Sequence, residues 1–224
     1  MLLAIENILN QQQIKSVRSL LDQSRFSDGR LSAGLTARRV KNNEEIPQTA
    51  EVTTQLNNIV MTSLFNNPIY QAAVMPHRVA TAFYARYTSG KFYGDHVDDP
   101  IMGPVGGRYR TDVSTTIFLN DPCEYQGGEI VIRGQNGDQK IKLNAGDAIT
   151  YPSGSLHHVA EITEGVRLVA VTWAQSLIRD PAKRELLFNL HKTRELLQHK
   201  YPEDREVLNI DHAYINLVRM WSEI

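Results

Sequence analysis

Residues 79–100 read VATAFYARYTSGKFYGDHVDDP. In the first part of this stretch Val79, Thr81, Phe83, Ala85 and Tyr87 alternate with Ala80, Ala82, Tyr84 and Arg86. A period of two is the signature of a strand with two distinct faces. The strand pattern then breaks toward a loop at His96, Val97, Asp98 and Asp99, which sets an imidazole and a carboxylate at alternate positions. On extended backbone, residues i and i+2 project to the same side, so His96 and Asp98 can serve one site.

Working outward from this stretch, strand-like runs continue to Trp173: DVSTTIFLN, GGEIVIRG, QKIKL, DAITYP and GVRLVAVTWAQ. Asn136-Gly137, between two of them, predicts a tight hairpin. Many short strands separated by turn residues point to an antiparallel sandwich or barrel. Helical patterns flank this block. Ile14, Val17, Leu20 and Leu21 lie at helical spacing behind Asn10, a capping residue type. Val52, Leu56, Ile59, Val60 and Leu64 form a second stripe, with Pro68 as its terminator. The polar run RRVKNNEEIPQ between these helices reads as loop and edge strand. After Arg179, Asp180-Pro181 marks the start of a third helix, and a last one is expected over DREVLNIDHAYINLVRMWSEI, residues 204–224. The organisation expected is therefore mainly β with flanking helices. Residues 1–78 form an N-terminal helical and edge-strand segment packed on the core, 79–178 the core itself, and 179–224 a C-terminal helical extension.

Composition fits one soluble globular unit: 224 residues, 42% hydrophobic and 22% charged. A formal net charge of −1 gives no global field to recruit nucleic acid or an anionic membrane. Cys123 is the only cysteine, which excludes an internal disulfide and suits a reducing compartment. The N-terminal sequence lacks the basic start and long apolar block of a signal peptide, and no apolar run is long enough to span a membrane. Cytoplasmic residence is the expectation.

His96 and Asp98 supply one nitrogen and one oxygen ligand, and a further histidine would complete the two-histidine, one-carboxylate triad of non-haem Fe(II) oxygenases. PSGSLHHVAEITEGVRLVAVTW offers His157 and His158, then Arg167. A buried arginine on a neighbouring strand could hold the distal carboxylate of a chelating organic co-substrate in a bidentate pair. Each feature alone also has a plain reading as a polar turn or a solvated strand position. Their order along strand-like segments is what carries weight. Asp147, Tyr93, His77, His191, His199 and Cys123 receive no catalytic role.

The order His-x-Asp, a histidine about sixty residues on, and then a basic residue nine or ten further resembles the Fe(II)/2-oxoglutarate dioxygenases, and within them the prolyl 4-hydroxylase-like branch. ARYTSGKFYGDHVD, IFLND…YQGGEIVI and GDAITYPSGSLHHV each resemble segments of that branch. Together with WAQSLIRDPAKRELLFNL and the closing WSEI, the whole chain looks like the bacterial PKHD-type hydroxylases. The resemblance implies a double-stranded β-helix, or jelly-roll, core. It implies His96, Asp98 and His157 as ligands of Fe(2+), with His158 turned to the other face of the strand, and Arg167 as the residue that binds the C5 carboxylate of 2-oxoglutarate. It also implies that the Tyr87 hydroxyl assists that contact. Val169 departs from relatives that carry a serine two residues after the arginine. Asp98 fills the carboxylate position that related halogenases vacate, which favours hydroxylation.

The activity implied is O2-dependent hydroxylation of an unidentified small molecule or peptide, with decarboxylation of 2-oxoglutarate to succinate and CO2. L-ascorbate is the implied reductant. A link to iron homeostasis and a homo-oligomeric state are further expectations, with no nucleic-acid or membrane partner. The alternative is a non-catalytic jelly-roll sensor or binding module for iron or a small acid.

Overall fold

The computed structural model describes residues 1–223. The N-terminal third supplies β1 (Leu3–Ile5), α1 (Gln11–Asp22), β2 (Ser27–Asp28), β3 (Lys41–Asn42), β4 (Glu44–Glu45), α2 (Glu51–Asn66) and α3 (Pro68–Val74). Next come β5 (Pro76–Val79), β6 (Phe83–Tyr87), β7 (Phe92–His96), β8 (Ile101–Met102), β9 (Tyr109–Arg110) and β10 (Val113–Phe118). The later strands are β11 (Tyr125–Gly127), β12 (Ile130–Ile132), β13 (Gln139–Ile141), β14 (Ala148–Pro152), β15 (His157–Val159), β16 (Ile162–Gly165) and β17 (Arg167–Ser176). Helices α4 (Pro181–Lys200) and α5 (Arg205–Trp221) follow.

The larger sheet has eight strands in the order β1-β14-β10-β17-β6-β4-β2, with β5 added beside β17. The smaller has five, β13-β12-β15-β7-β3, and β11-β16 and β8-β9 form two-stranded ribbons. Neighbouring strands in both sheets run antiparallel. This is the mainly β, jelly-roll architecture expected, with helices along its outside.

Strand β17 separates structural core from cavity by its period of two. Leu168, Ala170 and Ala174 join Val17, Leu56, Val60, Leu64 and Tyr70 in the core between the larger sheet and helices α1 to α3. Burying each of those leucine and valine side chains contributes about 1.5–3 kcal/mol. Val169 faces the opposite way, into a second core with Phe118, Ile130, Tyr151 and Val159 between the two sheets. Arg167, Val171 and Trp173, on that same inner side, line a cavity. Strand β6 repeats the division, with Tyr84 toward the helices and Phe83, Ala85 and Tyr87 on the cavity.

Local chemistry explains the helix boundaries. The Asn10 side chain accepts from the Gln13 backbone N–H, and the Gln13 side chain accepts from the Asn10 N–H, each at 2.9 Å. This capping box starts α1 where the sequence placed it. Pro68 does end α2, but it also opens α3, which the sequence reading missed. Asn67 caps α3 by accepting from the Tyr70 N–H at 2.9 Å, and a proline in the first helical position forfeits no intrahelical bond. Strand β1 was missed too, because three residues are too few to display alternation. The hairpin around Asn136-Gly137 forms, with Ile132 opposite Gln139, but its connection runs from 133 to 138 and is no tight two-residue turn. Arg133, bonded to Asp95 and Asp138, braces that wider loop.

Helix α4 begins at Asp180, which accepts from the Ala182 and Lys183 N–H groups at 2.7 and 3.3 Å. The helix lies against α3 and α5. Its buried Arg184 donates to the carbonyls of Ile178, Arg179 and Asp112 at 2.6, 2.8 and 3.4 Å, tying the extension to the residue that precedes β10. The last helix stops at Trp221, short of the expected 224, and Ile224 lies outside the described residues.

Candidate metal centre and its cavity

His96 is the last residue of β7 and His157 the first of β15, and the two strands pair with these residues directly opposite one another. That register brings together side chains 61 positions apart (157 − 96). Their ring centroids lie 4.2 Å apart. Asp98 follows in the loop beyond β7, and one ligand atom from each of His96, Asp98 and His157 falls within 4.8 Å of the others. Asp98 Oδ1 stands 3.9 Å from His96 Nε2 and 4.0 Å from His157 Nε2. These separations are too long for hydrogen bonds and about twice a metal–ligand bond of roughly 2.0–2.2 Å.

The tautomers are fixed from behind. His96 Nδ1 lies 2.8 Å from the Gly94 carbonyl and His157 Nδ1 lies 3.0 Å from the Ser155 carbonyl. A carbonyl only accepts, so each Nδ1 carries the proton and each Nε2 keeps its lone pair for the site. Burial, and next the neighbouring His157 ring, hold His96 well below the usual imidazole range. It is therefore neutral, as a ligand must be. Tyr93 stacks on His96 with centroids 3.6 Å apart, and Tyr151 meets His157 edge-on at 5.0 Å. Two imidazoles and one carboxylate form a donor set suited to a divalent first-row metal.

The other candidates lie elsewhere. His158 faces outward, its Nδ1 2.9 Å from Asp95 Oδ1. The Asp99 carboxylate turns to Gly34, where an added Cβ would stand 2.7 Å from Oδ2.

Arg167 opens β17 opposite Tyr87 of β6. It is 1% exposed, and its Nε and Nη1 are sealed from solvent without a hydrogen-bond partner. Among the described residues no carboxylate pairs with it. Its guanidinium carbon lies 5.1 Å from the Tyr87 ring and 5.6 Å from the Phe118 ring. Burial pushes the Tyr87 phenol up to about 12, against the opposing pull of Arg167, so Tyr87 remains a proton donor at neutral pH. The stem of Arg167 passes Gly128, whose φ is +69° and whose added Cβ would stand 3.0 Å from Arg167 Cδ and 2.2 Å from Ile162 Cδ1. Close approach thus explains the second glycine of YQGGEIVI.

Arg167, Tyr87, His96, Asp98 and His157 share one cavity of about 650 Å³. From Arg167 it extends along β17 past Val171 to Trp173, where Phe83 packs edge-on at 5.4 Å. Sequence reasoning did not find two side chains behind the centre: Ser114 donates to Asp98 Oδ2 at 2.5 Å, and Ser153 lies 2.8 Å from Ser114.

Residues 82–175 match the model of the 2OG-Fe(II) oxygenase superfamily, and residues 181–223 match that of the PKHD-type hydroxylase C-terminal domain. A PKHD-type hydroxylase of Thioalkalivibrio sulfidiphilus is 47% identical over 224 residues, covering 100% of both chains. One of Thermosynechococcus vestitus is 42% identical, again over 100% of both. Among solved structures, a Trichoplax adhaerens prolyl hydroxylase in complex with a hypoxia inducible factor peptide superposes with a TM-score of 0.55 at 18% identity, covering 83% of this chain and 86% of that one. A Pseudomonas putida prolyl-4-hydroxylase gives 0.51 at 18% identity, over 78% and 92%. The second pair establishes the fold and the first the family: the chain belongs to the PKHD-type hydroxylases of the 2OG-Fe(II) oxygenase superfamily, and it is a 2-oxoglutarate-dependent dioxygenase.

Proposed function

We propose that this enzyme hydroxylates a small molecule or peptide at a centre in which His96, Asp98 and His157 hold Fe(II), while Arg167 and Tyr87 hold 2-oxoglutarate. The observation that carries this reading is the juxtaposition, in one cavity, of an N,N,O donor set and a buried arginine whose Nε and Nη1 have no hydrogen-bond partner. When bound, the iron supplies O2 activation coupled to decarboxylation of 2-oxoglutarate to succinate and CO2, with a hydroxyl group delivered to a substrate C–H bond.

The chain's own residues bind and orient. The carbonyls of Gly94 and Ser155 keep both Nε2 lone pairs aimed inward. The planar guanidinium of Arg167 offers a fork that matches a carboxylate, in a site where such bonds are stronger than in water. Tyr87, held protonated by burial, donates alongside it. A five-carbon diacid fills only part of a cavity of about 650 Å³, and the arm toward Phe83 and Trp173 is left for the substrate. L-ascorbate as reductant, a cytoplasmic setting and a role in iron homeostasis complete the proposal, and these rest on the resemblance. No helix among the described residues is long and apolar enough to cross a membrane.

Calorimetric titration of 2-oxoglutarate into anaerobic metal-loaded protein, paired with succinate formation, tests the assignment. Arg167→Ala should weaken binding about a hundredfold or more, the equivalent of about 3 kcal/mol. Arg167→Lys should keep part of it, since lysine supplies charge without the fork. Unchanged affinity in Arg167→Ala would remove this residue from the site.

A further inference from the structure

We propose that Ser114, backed by Ser153, is a positioning residue that holds the Asp98 carboxylate with one oxygen withheld from the metal and the other presented to it. The inference rests on the reading of His96, Asp98 and His157 as the metal ligands.

Asp98 lies beyond the end of β7, where strand pairing no longer fixes it. Among the described residues, the one hydrogen bond to its carboxylate comes from the Ser114 hydroxyl, at 2.5 Å to Oδ2. Oδ1 is the oxygen that faces both imidazoles. Ser114 is itself held by strand pairing on both sides. It is 0% exposed in the middle of the larger sheet, with β14 on one side opposite Tyr151 and β17 on the other opposite Trp173.

The proton count gives the pair a direction. An ionised carboxylate only accepts, so the single Ser114 hydroxyl proton goes to Asp98. Ser153, 2.8 Å away and also buried, must then donate to Ser114 Oγ. Two hydroxyls aligned in this sense polarise one another toward the charge, and the bond they end on is charge-assisted. Ser153 is anchored in turn, its N–H donating to the Asp112 carbonyl at 3.1 Å.

The consequence is denticity. With Oδ2 engaged from behind, Asp98 offers one oxygen to a metal and occupies one coordination position. A carboxylate freed of this bond must be ordered when the metal binds, which weakens the site, and it can turn to present both oxygens, taking a position that co-substrate or O2 needs. Residues behind metal ligands typically change metal affinity by about 10–100-fold when removed.

Anaerobic titration with Co(II), read by its visible d–d absorption, tests this without turnover. Ser114→Ala should bind Co(II) about 10–100-fold more weakly and with an altered d–d spectrum. Ser114→Thr, which restores the hydroxyl, should recover the wild-type spectrum, and Ser153→Ala should give a smaller loss in the same direction. Thermal unfolding of each metal-free variant checks the fold. If Ser114→Ala does not fold, Ser153→Ala carries the test. A wild-type affinity and spectrum in every folded variant lacking one of these hydroxyls would overturn the proposal. Asp98→Ala serves as the control: if it binds Co(II) like the wild type, the ligand set itself is wrong and the proposal falls with it.

Discussion

A buried guanidinium without a counter-charge costs the folded chain free energy, and Arg167, with no carboxylate partner among the described residues and with Nε and Nη1 unbonded, is such a group. The cost is offset when an anion enters, so stability and function should trade against each other at this position. Arg167→Met should leave the ligand-free protein unchanged or stabilise it by about 1–4 kcal/mol, while 2-oxoglutarate loses its ability to raise the melting temperature. Paired melting curves with and without 2-oxoglutarate read both effects, and a large destabilisation of the ligand-free variant would contradict the account. Tyr87 adds a pH signature. Its folded value of about 12 lies above the usual phenol value of roughly 10. The folded chain therefore keeps a proton that the unfolded chain loses between these values, and this contribution to stability declines as pH rises through the window. Tyr87→Phe should flatten that part of the alkaline profile. The proposed site residues His96, Asp98, His157 and Arg167 could be singled out from sequence because their order along strand-like segments resembles that of a known family. Ser114 and Ser153 could not. In VSTTIF and YPSGS a serine looks like any strand or turn residue until the fold brings Asp98 beside it.

At the scale of elements, legibility followed the strength of the local signal. Helices α1 and α4 carry side-chain caps at Asn10 and Asp180 that the chain announces in advance. Helix α3 escaped because Pro68 reads equally as an end or a beginning, and the capping role of Asn67 depends on backbone geometry. The wider connection between β12 and β13 is braced by Arg133, which pairs with Asp138 across it and with Asp95 of β7, contacts that no turn dipeptide reports. The C-terminal extension is joined to the sheet through Arg184, whose guanidinium reaches three backbone carbonyls. Hydrogen bonds from a charged donor contribute about 1.5–3 kcal/mol each at most, so Arg184→Ala should lower stability by several kcal/mol. Denaturant unfolding measures this. A loss below about 0.5 kcal/mol, the level of ordinary surface substitutions, would mean that the tie is not made in solution.

Across the whole molecule, the two sheets do different work. The outer face of the larger sheet closes over the helices as an apolar core, and its inner face joins the smaller sheet around the cavity. A metal and 2-oxoglutarate bound between the sheets favour the folded state by mass action. Mn(II) with 2-oxoglutarate should therefore raise the melting temperature more than either alone, and a chelator should reverse the gain; equal melting temperatures in all conditions would count against a shared site. In the proposed iron site, the register between β7 and β15 brings His96 and His157 together with Asp98 and leaves His158 outside. The most direct measurement is the visible charge-transfer band of anaerobic protein loaded with Fe(II) and 2-oxoglutarate. The band should be present in the wild type and in His158→Ala, and absent in His96→Ala, Asp98→Ala and His157→Ala. A band that survives in His157→Ala and disappears in His158→Ala would contradict it.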